Sequence, residues 1–284
     1  MNNLLVTGSS GQLGSTLVKQ LRQAAYNVVG IDTVLAETTS HLVDIRDKNQ
    51  ILSITQSVDA IIHTAAMHGK QYELNYPREE FISTNIQGTL HLLDACVVHG
   101  IKKFVYTSTT SIYGYAMVHG QEAVWVDESL PPDPRDIYDI TKLTAELLCR
   151  DYFEKEGIKT TVLRVSRFLP EPPRTTAIHR LYRGLDVRDG AAAHLLALKK
   201  TFNTFEVFTI SAKSPFQRTD VSLLKTAPEQ LLKNHYPEIY QVFVQRNWAF
   251  PASIDRVYAI EKAEKLLGYA PQYNFQEYIQ MHRE

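Results

Sequence analysis

Cysteine is scarce in this sequence: Cys96 and Cys149 are its only two, far apart, with neither a CxxC pair nor zinc-ligand spacing. A disulfide framework is therefore excluded, and two reduced thiols suit a cytoplasmic protein. Charge of one sign is lacking as well. Thirty Lys and Arg stand against 31 Asp and Glu, a formal net charge of −1, so no bulk attraction favours nucleic acid or an anionic membrane. No uncharged apolar run approaches the roughly 20 residues a membrane helix needs. The opening Met1-Asn2-Asn3-Leu4-Leu5-Val6 has no basic n-region and too short an apolar run for a signal peptide. The histidines show no HExxH or paired ligand spacing, so no metal is expected. Internal repeats and low-complexity tails are missing too. The expectation is a cytoplasmic protein with no nucleic-acid, membrane or metal partner.

What is present is a globular composition, 44% hydrophobic and 21% charged, enough to fill a substantial core. Short β-branched runs alternate with amphipathic stretches. Strands are predicted at Leu4–Val6, Val28–Asp32, Ala60–His63, Phe104–Tyr106, Thr161–Leu163 and Phe205–Ile210. Between them lie helices: one carrying Leu13, Leu17 and Leu21 at i, i+4 spacing, then Pro77–His99, Tyr138–Glu156 and Asp189–Lys199. Repeated β-then-α units imply an α/β fold, a doubly wound parallel sheet with helices on both faces. Leu169–Arg174 reads as an irregular, proline-rich passage, and the last third as a small lobe ending in helices at Glu261–Leu267 and Phe275–Met281. Residues 1–165, with 186–210 returning to them, form the expected dinucleotide domain; 166–185 and 211–284 form the expected C-terminal substrate lobe.

Thr7-Gly8-Ser9-Ser10-Gly11-Gln12-Leu13-Gly14 lies between the first strand and the first helix. Gly8 permits the tight turn, Gly11 lets backbone approach a pyrophosphate, and Gly14 lets helix and strand pack closely. The helix start then offers N–H groups and partial positive charge to phosphates. Asp32, at the end of the next strand, stands at the spacing of a ribose-binding carboxylate. A carboxylate there accepts the adenosine hydroxyls and repels a 2′-phosphate, and no Arg or Lys follows before Arg46. NAD is therefore expected over NADP.

Tyr138-Asp139-Ile140-Thr141-Lys142 opens a helix, which stacks Tyr138 and Lys142 on one face. Hydride transfer from a carbinol needs a base for the hydroxyl proton. Free tyrosine, with a pKa of about 10, is too weak a base at neutral pH. A neighbouring ammonium, with the positive ring of an oxidised nicotinamide, would stabilise the phenolate. Lys142 can also reach the nicotinamide ribose. A hydroxyl from Thr107-Ser108-Thr109-Thr110-Ser111, past a strand's C-terminal end, could hold the substrate oxygen against Tyr138.

These elements together resemble the extended short-chain dehydrogenase/reductase family, in its NAD-dependent epimerase/dehydratase branch. The resemblance runs over nearly the whole chain: TGSSGQLG, Asp32, Asp44-Ile45, His63-Thr64-Ala65-Ala66, Asn85-Ile86-Gln87-Gly88-Thr89, STTSIYG, YDITK, Leu163-Arg164 and Lys262–Tyr269. It implies a Rossmann-type fold. It also implies a cofactor site of Gly8, Gly11, Gln12, Leu13, Gly14, Asp32, Asp44, Ile45, Ala65, Ala66, Asn85, Thr107, Tyr138, Lys142 and Val165, with Asp44 and Ile45 at the adenine edge. By the same match the hydroxyl partner is Thr109, five positions before the Gly of Tyr113-Gly114, so the implied catalytic set is Thr109, Tyr138 and Lys142.

Departures narrow the reaction. Family dehydratases carry a carboxylate just after the catalytic threonine; Thr110 and Ser111 stand there, which argues against dehydration. The segment before Asp189 is shorter than in nucleotide-sugar enzymes, and with Pro170-Glu171-Pro172 it is similar to uronate dehydrogenases. His68, Thr109, Arg167 and Arg174 are the candidate substrate contacts; an arginine fork there suits a carboxylate or phosphate. The resemblance implies an epimerase or oxidoreductase of a sugar or nucleotide-sugar hydroxyl. The alternatives are a dehydrogenase of a small free sugar acid and a sensor that binds the dinucleotide without turnover. Relatives that pair two long helices across a two-fold axis make a homodimer the expected assembly.

Overall fold

Leu4, Leu5 and Val6, the apolar run that opens the chain, are buried without remainder on both faces of strand β1 (Asn3–Thr7). Burial on both faces is what a parallel sheet between two helix layers requires. In the structure, a computed structural model that describes residues 2–118 and 120–282, the chain then runs α1 (Gln12–Gln23), β2 (Asn27–Asp32), β3 (His41–Leu42), α2 (Lys48–Ile54), β4 (Ala60–His63), α3 (Gly69–Glu73) and α4 (Arg78–Phe81). A π-helical stretch, Ile82–Gln87, leads into α5 (Gly88–His99), then β5 (Lys103–Thr109), a 3-10 segment at Thr110–Met117, β6 (Val124–Val126), α6 (Ile137–Glu156), β7 (Lys159–Val165), α7 (Pro173–Arg180), α8 (Val187–Lys199) and β8 (Glu206–Ile210). The remainder is α9 (Val221–Thr226), α10 (Pro228–His235), α11 (Pro237–Gln245), β9 (Arg256–Tyr258) and α12 (Phe275–Met281).

Seven strands form one parallel sheet in the order β3-β2-β1-β4-β5-β7-β8. The order reverses between β1 and β4, and that switch point opens a crevice at the strands' C-terminal ends. Side chains alternate across the sheet. Leu4, Val6 and Ile62 pack with Leu13, Leu17 and Leu21 of α1 and Ala191 and Ala197 of α8. Leu5, Ile61 and Phe104 pack with Leu92 and Leu93 of α5 and Ala145 and Cys149 of α6.

Several elements differ from the sequence expectation. The long helix expected at 77–99 begins at Arg78, is interrupted by the π turn, and ends where Gly100 adopts φ 70°. The stretch at 169–174 is irregular only as far as Pro172; Pro173 then starts α7, the position a helix tolerates proline best. Two-residue β3 and α2, with Ile51 as its one buried residue, carry too little periodicity to read in advance. The small lobe has its own core, including Phe216, Leu231, Phe243 and Phe275, with Phe243 stacked on Phe250 at 4.9 Å. It also draws on the connection between β5 and α6: β6 pairs in parallel with β9, joining Val124–Val126 to Arg256–Tyr258. The boundaries expected from sequence leave that segment in the first domain.

Candidate active site

The glycine turn occupies the switch point. Gly8 has φ 71°, and a Cβ there would meet the Ala65 backbone at 2.8 Å; a Cβ on Gly14 would lie 2.0 Å from the Gly8 carbonyl oxygen. Gly11 is the N-cap of α1, with no side-chain cap and no acid in the first turn, so the helix start is left to an external anion. Gln12 is exposed, whereas the Leu13 side chain lies in the core, so only its backbone faces that turn. Asp32 accepts the Ser10 N–H at 3.0 Å and the Val34 N–H at 3.1 Å, which binds the carboxylate to the rim of the turn. Arg46, the first cation after it, is fully engaged: it forks onto Asp44 at 2.7 Å and reaches Glu80 at 2.6 Å. That pairing holds the Asp44 carboxyl below its usual range. Ile45 turns its side chain into the core beneath α5.

The loop after β4 is clamped from below. Thr7 accepts the Thr64 and Ala65 N–H groups on its hydroxyl oxygen, which leaves its hydrogen for His63 Nδ1 at 2.7 Å. His63 Nε2 then donates to Thr89 at 3.0 Å, since the Thr89 hydroxyl itself donates to the Asn85 carbonyl. Burial, with the Lys142 charge second, holds His63 well below its ordinary pKa. Asn85 spends its amide on Met67, accepting its N–H at 2.7 Å and donating to its carbonyl at 3.0 Å, and donates a second bond to Thr141 at 3.0 Å. It therefore ties the Ala65–Met67 loop to α6; its amide is not presented to a ligand. The family resemblance makes Asn85 a cofactor-binding position, and in the structure its side chain bonds within the protein.

Helix α6 begins where Asp136 caps the Asp139 N–H. Tyr138 is 7% exposed, with the His68 ring 5.1 Å away and Gly69 against its edge. Thr109, the last residue of β5, accepts the Ser111 N–H at 3.1 Å, and its hydroxyl stands near enough to the phenol to influence its acidity. Burial pushes Tyr138 above the ordinary tyrosine range, with Thr109 pulling it back and Asp139 and Asp136 adding to the rise. Lys142 is buried, donates to the Thr107 carbonyl at 2.6 Å and sits 4.2 Å above the Tyr106 ring. Burial drives its pKa down to about 7, opposed by Glu146. Protein groups alone therefore do not make the phenol acidic, because desolvation outweighs them; the expectation from sequence counted also on the positive ring of an oxidised nicotinamide. The Thr107 hydroxyl is used on His194 Nε2 at 2.8 Å, since His194 Nδ1 donates to Gly190, so its side chain is not offered to a cofactor. Val165, in register with Thr109, packs its side chain in the core.

Sequence reading missed the groups behind this face. Glu146, one turn after Lys142, is buried and takes a bidentate hydrogen bond from Arg164, at 2.7 Å from Nη2 and 3.1 Å from Nε, together with the Ser108 hydroxyl. Arg164 also donates to Tyr113 at 2.9 Å. The i, i+4 spacing from Lys142 was the available signal.

On the substrate side, Arg167 pairs with Glu171 at 2.6 Å, and Arg174 forks onto the Ala249 carbonyl at 2.6 and 3.2 Å. Both arginines thus have internal partners. Arg183, which sequence reading passed over, is half-buried, and among the described residues no carboxylate lies within ion-pair distance of it; its Nε is buried without a partner. The Arg183 carbonyl accepts the Arg167 N–H at 3.3 Å, and Leu185 N–H returns to the Arg167 carbonyl at 2.8 Å. That places Arg183 beside the chain leaving β7, two residues beyond the pairing of Val165 with Thr109. Among the described residues no helix is long and apolar enough to cross a membrane, and no group of three or more side chains could hold a metal.

Comparison with known proteins bears on the family and the fold. The model of the NAD dependent epimerase/dehydratase family matches residues 4–211. The uncharacterised UDP-glucose epimerase YtcB of Bacillus subtilis is 32% identical over 199 residues, covering 63% of this chain and 61% of that protein. A uronate dehydrogenase of Pseudomonas syringae pv. tomato is 28% identical over 177 residues, covering 60% and 61%. The matches thus span about three-fifths of these relatives' length. A Thermotoga maritima UDP-glucose 4-epimerase, solved with UDP-glucose, superposes with a TM-score of 0.73 at 23% identity over 98% of this chain and 96% of that one. At that identity the likeness speaks for the fold.

Proposed function

The chain belongs to the NAD dependent epimerase/dehydratase family, and from that premise we propose that it is an NAD-dependent oxidoreductase or epimerase acting on a hydroxyl of an anionic sugar, in first place a nucleotide sugar. One observation carries the reading: Tyr138 is buried at the C-terminal edge of β5, beside Thr109 and one helical turn from Lys142. The residues fit the cofactor, because the tight turn that Gly8 and Gly14 permit by leaving no room for a Cβ, the uncapped start of α1 and the Asp32 carboxylate suit a dinucleotide. Bound NAD supplies a hydride acceptor and, when oxidised, a positive ring beside the phenol. Tyr138 takes the carbinol proton, Thr109 holds the substrate oxygen, and Lys142 lends positive charge to the phenolate. Arg183 anchors the anionic group.

A second reading, one-way oxidation of a small sugar acid, is favoured by the short crossover between β7 and α8, which holds α7 as its one helix. A binding-only sensor would have no use for the buried Tyr138 and Lys142. Incubating the protein with NAD and a panel of uronic acids, free sugars and UDP- and GDP-sugars separates these readings. Net NADH formation selects the dehydrogenase, isomer exchange without NADH the epimerase, and neither outcome with any compound removes the enzymatic proposal.

Two further results are expected. Asp32→Ala should weaken NAD about tenfold or more, the cost of charge-assisted hydrogen bonds, and should narrow the preference over NADP; titration with both dinucleotides checks it. The protein should form a homodimer through α5 and α6. Ile140 and Leu147, seven residues apart on one face of α6, are 48% and 57% exposed. Light scattering should show a dimer that becomes monomeric in Ile140→Glu/Leu147→Glu.

A further inference from the structure

Arg183 is held from one side by a histidine rather than by an acid. His179, 8% exposed at the end of α7, places Nε2 2.7 Å from Arg183 Nη2 and Nδ1 2.6 Å from Glu171 Oε2. A guanidinium only donates, so Nε2 accepts and the single imidazole proton sits on Nδ1, donated to Glu171. The other Glu171 oxygen accepts Arg167 Nε at 2.6 Å. The backbone enforces this geometry: the His179 carbonyl accepts the N–H groups of Arg183 at 2.8 Å and Gly184 at 2.5 Å, and a Cβ on Gly184 would lie 2.8 Å from the His179 carbonyl carbon.

We propose that His179, its tautomer fixed by Glu171, is a positioning residue that aims Arg183 at the substrate's anionic group. The inference rests on the reading that the site takes an anionic sugar. A carboxylate in place of His179 would neutralise the guanidinium and compete with the ligand; a neutral acceptor orients Arg183 and leaves its charge available. The groups facing His179 are Glu171 from the segment before α7, Arg167 from the end of β7, and Arg183 with the Tyr182 ring from the turn after α7; Asp255, before β9, feels the Arg183 charge. Burial and Arg183 lower the His179 pKa against the pull of Glu171, so the neutral form prevails at neutral pH. Acid that charges His179 leaves two donors facing each other and displaces Arg183.

The test is calorimetric titration of UDP-glucose and of D-glucuronate into the NAD-loaded protein, in a Tyr138→Phe background that stops turnover. Arg183→Ala should weaken whichever compound binds by about tenfold or more, the scale of a lost charged hydrogen bond. His179→Phe should weaken it about fivefold, and His179→Gln, whose Oε1 can take the place of Nε2, by no more than about twofold. His179→Phe/Arg183→Ala should be no weaker than Arg183→Ala, because the two residues act as one unit. Lowering the pH from 7.5 to 5 should weaken binding in the otherwise native site and not in His179→Gln. An unchanged NAD affinity reports folding; should His179→Phe not fold, His179→Asn, too short to reach Arg183, takes its place. If Arg183→Ala weakens binding while removal of the His179 acceptor does not, or if the two effects add, the positioning role is overturned. If neither compound binds, or Arg183→Ala has no effect, the anionic-sugar reading itself falls.

Discussion

Replacing Tyr138 by Phe should lower kcat by about 10²–10⁴-fold, the usual contribution of a positioned acid–base group, while NAD binds as before. The substitution removes one oxygen from a ring that is otherwise held by His68 and Gly69, so the fold has little reason to respond. The size of the loss follows from how the phenol is placed. Burial, with Asp139 and Asp136, pushes its pKa up, and Thr109 pulls it back. Positive charge from Lys142 and from the ring of the oxidised cofactor works against that rise, which ties the acid–base step to the loaded site. Steady-state turnover and cofactor titration check both halves of the expectation. A kcat within about tenfold of the native value would remove Tyr138 from the chemistry.

Glu146→Leu should destabilise the protein by about 3–5 kcal/mol, because it leaves the Arg164 guanidinium buried without its carboxylate. Replacing both residues by Leu should recover most of that loss, since an apolar pair in the same volume avoids the uncompensated charge. Activity should not recover with it. Glu146 raises the pKa of Lys142 against a burial effect that leaves it at about 7. Without Glu146 that pKa falls further, and at pH 8 the lysine is almost wholly neutral, whereas at pH 6 part of the ammonium survives. The activity deficit of the double variant should therefore grow as pH rises. Denaturant unfolding gives the first result and a pH–rate profile the second; a double variant with native activity at pH 8 would separate Glu146 from Lys142.

Much of the fold and of the candidate site could be read from local pattern. Gly8 and Gly14 are legible because a turn that grazes its neighbours admits no side chain there, and Tyr138 and Lys142 because four residues are one helical turn. The alternation of strands with helices announced a parallel sheet, and burial of its strands on both faces is what such a sheet requires. Asn85, Thr107 and Ile45 match cofactor-binding positions, yet here Asn85 bonds Met67 and Thr141, the Thr107 hydroxyl bonds His194, and Ile45 fills the core. A motif records which residue type stands at a place, whereas the neighbours decide which way its polar atoms point.

The sequence by itself determined the parallel α/β sheet, the glycine turn with Asp32, and the spacing of Tyr138 to Lys142, all set by steric limits and helix or strand period over a few residues. Tertiary structure decided the pairing of β6 with β9, the Glu146–Arg164 pair behind Lys142, and the seating of Arg183 against His179. The physical reason is that burial and charge pairing depend on which distant segments meet. The desolvation that raises Tyr138 and lowers Lys142 exists only once the sheet, α6 and the loop at His68 have closed around them.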